Sequence, residues 1–138
     1  MELWFVKAVA ERELKRLPNY LDVTGEGELV HSELSGMQLG ENETVIGVYE
    51  NTPGEVEDSI VVTNLGLHLR QGSSWLPLEY TAIIKVVRPA TKEEISGITV
   101  ILNNGVEQFV PVRGARAQFR DSFSLLQFLM NVRQRKTG

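Results

Sequence analysis

The chain has 138 residues, 42% of them hydrophobic and 23% charged, enough for one domain with its own core and no covalent staple. It contains no cysteine, which excludes thiolate metal sites, disulfides and cysteine nucleophiles. A net charge of −4 argues against a nucleic-acid partner.

Residues 2–17 read as a helix. Leu3, Val6, Ala10, Leu14 and Leu17 recur at spacings of three and four, and Pro18-Asn19 stops the pattern. Glu2 ahead of the apolar residues and Lys7 among them are unlike a secretion signal, and no stretch nears the ~18 apolar residues of a membrane span. The expected location is cytoplasmic. Residues 18–43 are broken by Gly25, Gly27, Gly36 and Gly40 into short pieces with no sustained period. Gly25-x-Gly27 is not a dinucleotide fingerprint, because no strand precedes it and no third glycine follows in place.

From residue 44 the pattern becomes short β-runs with turn residues between them. The runs are 44–49, 59–63, 65–70, 75–78, 82–88, 98–102 and 106–110. Pro77 marks an edge or a bulge, because proline cannot donate to a ladder. Asn103-Asn104-Gly105 between the last two runs signals a tight hairpin. The final element is a helix over 122–135, with Asp121 or Ser122 available to cap it and Phe123, Leu126, Leu129, Met130 and Val132 on its apolar face. Residues 111–138 carry six bases against Asp121 alone. Those in the last turn complement the helix dipole.

Seven strands in succession followed by one helix describe an α+β fold, mainly antiparallel. The order resembles the pleckstrin-homology-like superfamily, in its bacterial and GRAM-like branches. Two phrases carry the resemblance: Val62-Thr63-Asn64-Leu65-Gly66-Leu67-His68-Leu69, and Trp75-Leu76-Pro77-Leu78-Glu79-Tyr80-Thr81-Ala82-Ile83. The resemblance implies a seven-stranded barrel or sandwich over 44–138, matched at 44–136 and capped by the C-terminal helix. Residues 1–43 are expected to form a helical N-terminal extension.

The resemblance implies binding rather than catalysis: an adaptor for a protein partner, or alternatively an atypical peripheral lipid-binding adaptor. An uncharacterised enzyme is the third reading. Headgroup binders of the superfamily place bases in the first inter-strand loop. Here residues 50–58 hold Glu50, Glu55, Glu57 and Asp58 and no base, which disfavours phosphoinositides. No catalytic or metal-binding constellation and no cofactor motif is found, so none is expected. His31 and His68 read as surface histidines, with His68 on the polar side of an alternating strand. Arg113, Arg116 and Arg120 are the candidates for an anion or acidic partner, since the N-terminus of the final helix lies beside them. Trp4 and Phe5 are the candidates for self-association. Trp75–Leu78 is the candidate docking edge.

Overall fold

The computed structural model describes residues 3–22, 39–52, 57–87, 97–112 and 120–137. Helix α1 spans Leu3–Glu13 and is followed by strand β1, Tyr20–Asp22. Then come β2 (Val45–Tyr49), β3 (Ile60–Thr63), β4 (Gly66–Gln71) and β5 (Ser74–Glu79). A 3₁₀ turn, Tyr80–Ala82, leads to β6 (Ile83–Val87), β7 (Gly97–Leu102) and β8 (Glu107–Pro111). Helix α2, Arg120–Thr137, closes the chain.

The strands form two antiparallel meanders, one of five strands in the order β1-β2-β3-β4-β5 and one of three in the order β6-β7-β8. Among the described residues neither β5 and β6 nor β1 and β8 pair. The expected barrel is therefore corrected to two open sheets. The 3₁₀ turn redirects the chain between them, and Tyr80 at its start is fully buried.

Both turn types follow from their glycines. Gly72, at φ +61°, opens the two-residue turn between Gln71 and Ser74, the position where a type II′ turn needs positive φ. The Asn103-Asn104-Gly105 hairpin forms as expected, but as a three-residue loop. Gly105 alone takes positive φ, at +85°, and its N–H donates to Leu102 O at 2.9 Å.

Helix α1 ends at Glu13, short of the 17 that periodicity suggests. Residues 14–17 continue as tight turns, with Leu17 N–H bonded to Leu14 O and Tyr20 N–H to Leu17 O. Pro18 accounts for this, since it bars helical geometry in the residue before it. Four residues of the apolar stripe, Val6, Ala10, Leu14 and Leu17, are buried together with the inner faces of the strands and with α2, whereas Leu3 at its start is 38% exposed. Strand β1 pairs with β2 through Tyr20↔Tyr49, Leu21↔Val48 and Asp22↔Gly47. Helix and strand from residues 1–43 thus share the core of the strands that follow.

Helix α2 lays Leu125, Leu126, Phe128, Leu129 and Val132 into that core and packs on α1, the 3₁₀ turn, β6 and β7. Each such side chain contributes about 2 kcal/mol by burial. The capping expectation is corrected. The helix begins at Arg120, ahead of both candidate caps, and their side chains are used elsewhere. Asp121 accepts from the Tyr49 hydroxyl at 2.6 Å, and Ser122 Oγ donates to Val112 O at 3.0 Å.

Candidate functional site

The five-stranded sheet has a second face, opposite the core. Register places Leu21, Val48, Val61, His68 and Pro77 in one row across it. Val61 has no exposure and Val48 is 6% exposed, so the middle of this face is not a solvated surface. That corrects the reading of His68. Strand β4 alternates as expected, but His68 is 4% exposed.

Its ring is held by Glu43. His68 Nε2 lies 2.8 Å from Glu43 Oε2. An ionised carboxylate only accepts, so Nε2 carries the proton in this contact. Glu43 also accepts from the Thr63 hydroxyl at 2.6 Å and from the Gly40 N–H at 2.8 Å. Burial pushes the Glu43 carboxyl up, but these three hydrogen bonds and the His68 charge outweigh it and hold it below the ordinary value of 4.5.

Thr63 is the hub. Its single hydroxyl proton goes to Glu43, and its oxygen accepts from the N–H groups of Leu65 and Gly66, both at 3.1 Å. Its carbonyl accepts from the Tyr80 hydroxyl at 2.7 Å. The loop that delivers Glu43 is pinned by Asn64. The Asn64 amide donates to Asn42 O at 3.0 Å and accepts from Thr44 N–H at 2.7 Å. Asn42 takes a left-handed φ of 64°, which asparagine tolerates.

A pocket of about 210 Å³ opens beside this network. It is lined by Gly40 and Glu43 from the loop, by Leu65, Gly66, Leu67 and His68, and by Pro77, Leu78 and Glu79 of β5. Gly66 makes the close approach of β4 and β5 possible here, because a Cβ at that position would collide with the Leu78 carbonyl oxygen. Two carboxylates and an imidazole line the pocket, and its described lining residues include no lysine or arginine.

Among the described residues strand β5 is an edge strand, as Pro77 suggests. The turn closes on Gln71–Ser74, and Tyr80 N–H bonds Leu65 O at 3.0 Å. Hydrogen-bonded pairs therefore fall at 71–74, 69–76, 67–78 and 65–80. Pro77 lies between them opposite His68, where a backbone N–H would point away from β4. The outward edge lacks a donor at its centre, which blunts strand addition.

Arg113 and Arg116 lie outside the described residues, and Arg120 opens α2 with its side chain outside them. His31 also lies outside the described residues. Trp4 is 60% exposed, whereas Phe5 packs against the core. The two rings meet edge to face at 6.0 Å. The acidic loop begins on two residues that do not face solvent. Glu50 and Asn51 are buried, and the Asn51 amide donates to Asp58 O and Pro111 O. Among the described residues no cluster of three His, Asp or Glu side chains is placed to hold a metal, and no helix is long and apolar enough to cross a membrane.

No protein-family model matches the chain, and no curated protein matches it. A crystal structure of a DUF1696 family protein with a pleckstrin-homology domain, from Shewanella loihica, is similar to it. The identity is 19% and the TM-score 0.49, over 83% of this chain and 97% of that one. That likeness says nothing of a ligand for this chain.

The pair Glu43–His68 had no sequence signal. It joins residues 25 apart in a contact that no helical or strand spacing predicts.

Proposed function

We propose that the domain is a non-catalytic binding module that engages a protein partner at the β4–β5 edge, beside Glu43 and His68. The pocket there carries the reading. At about 210 Å³ it falls below the roughly 300–1,000 Å³ usual for small-molecule and cofactor sites, and it suits a single side chain of a larger partner. Two of its polar side chains are tied into the fold. Thr63 and Gly40 hold Glu43, and Glu43 holds His68. No serine, threonine or tyrosine stands among its described lining residues to act as a hydroxyl nucleophile.

A photo-crosslinking amino acid at position 77, exposed at the pocket's rim, tests the reading in cells. One at position 109, on the other sheet, is the control. The reading expects a discrete adduct with another protein from position 77 and none from position 109. Equal adducts from both positions, or none from 77, would count against it.

A further inference from the structure

We propose that the outer face of the three-stranded sheet is a contact between two copies of this chain, related by a two-fold axis that runs along β7. Register places Lys85, Ile101 and Glu107 in one row across that face, and Val87, Thr99 and Phe109 in the next. Ile98, Val100 and Val110 fill the opposite face and are buried in the core. The Phe109 ring leans over Gly97, where a Cβ would collide with it, and is still 48% exposed. Ile84, at the register shift in β6, is 54% exposed. The solvated face of an antiparallel sheet ordinarily alternates to polar residues. Here Val87, Ile101 and Phe109 hold those positions, with Ile84 beside them, and an apolar patch left in water marks an association surface.

The charges on this face select a second copy as its occupant. Lys85 stands on the β6 side and Glu107 on the β8 side, both exposed. Among the described residues neither takes part in an ion pair. A copy turned about an axis along β7 sets its β6 over the first copy's β8. Each Lys85 then meets the partner's Glu107, and Ile101 meets its own counterpart at the centre. The contact is isologous and closed. An axis across the strands would instead set β6 over β6 and bring like charges together, which is unfavourable.

The face is better suited than the edge beside it. Leu102 N–H bonds Val106 O, so Glu107 and Phe109 turn their backbone groups away from β7. The Gln108 amide already donates to the Phe109 carbonyl at 2.9 Å, which blunts strand addition at β8. Three strands of this length present a face of roughly 15 by 20 Å. That is less than the roughly 800 Å² per partner of a standard interface. The dimer is therefore weak and reversible, with a dissociation constant on the order of 0.1 mM.

Sedimentation equilibrium of the full chain, loaded from about 10 μM to about 1 mM, reads the association. Wild type should follow a monomer–dimer equilibrium. Lys85→Glu and Glu107→Lys, both at exposed positions, should each weaken it about tenfold or more, since either change sets like charges face to face on both sides of the axis. The double variant Lys85→Glu/Glu107→Lys restores opposite charges and should recover wild-type association. Trp4→Glu, on helix α1, should leave it unchanged. A chain that stays monomeric throughout that range, single reversals without effect, a double variant no better than the singles, or loss of the dimer in Trp4→Glu would overturn the assignment. A photo-crosslink at position 109 between two copies has twice the mass of the chain, so it is told apart from an adduct with another protein.

Discussion

His68 Nε2 and Glu43 Oε2 stand 2.8 Å apart, with the two side chains 5% and 7% exposed. The contact ties the loop before β2 to the face of β4 that lies away from the core. Removing one partner of such a buried pair strands the other, at a cost of about 3–5 kcal/mol. His68→Ala should therefore destabilise the domain by that order, read by urea denaturation. A loss below about 1 kcal/mol would mean that the pair is incidental.

Glu43 also sets an acid limit. Its carboxyl is held below 4.5 in the fold, so the folded state binds fewer protons there than the unfolded chain does. Its contribution is fully present above about pH 4.5 and is lost as pH falls through the depressed value. At neutral pH Glu43→Gln should be less stable than wild type, and the gap should narrow as pH falls below 4.5. Denaturation series at pH 7 and pH 3 for both proteins read it. A gap that widens in acid would reverse the assignment.

The three tyrosines are all buried yet should respond differently to loss of their hydroxyls. Tyr49 donates to the buried Asp121, so Tyr49→Phe leaves an acceptor short and should cost ~1–3 kcal/mol. Tyr80 donates to Thr63 O, and Tyr80→Phe should cost about 1 kcal/mol. The Tyr20 hydroxyl has no partner among the described residues, and burial, with Asp22 and Glu11 nearby, raises its pKa far above the ordinary range. Tyr20→Phe should be neutral or stabilising. If Tyr20→Phe proved the most harmful of the three, this ordering would be wrong.

Two glycines separate steric exclusion from backbone strain. At Gly66 an added Cβ meets the Leu78 carbonyl oxygen and the Glu79 Cα, whereas at Gly72 it meets nothing within 4 Å. Gly72→Ala pays only for positive φ, about 1–2 kcal/mol. Gly66→Ala must push two paired backbones apart and should cost more, by about 1–3 kcal/mol. Melting curves of the two variants settle the order, and equal losses would deny the close approach at Gly66.

Much of this fold was legible in sequence because its elements are long or chemically marked. The β-branched runs at 45–49, 60–63 and 83–87 appear where expected, as does the hairpin at Gly105, and the final helix is present but starts at Arg120, two residues before the expected 122. Strand β1 was not legible. Three residues after Pro18 show no period, and their pairing with Tyr49, Val48 and Gly47 is tertiary. The alternation in β4 is legible in sequence, but its polar side does not face solvent at His68. Alternation says which residues share a face and not what covers that face, and here Val61 beside His68 is fully buried. The candidate site escaped for a related reason. Glu43 came from a stretch with no periodic signal, and its partners Thr63 and His68 reach it only once β3 and β4 are folded.

The binding claim is tested most directly by hydrogen–deuterium exchange on the full chain with and without the partner captured at position 77. The account predicts added protection at residues 40–43, 65–68 and 77–79, with residues 97–111 unchanged. Protection confined to β7 and β8, or to helix α1, would contradict it.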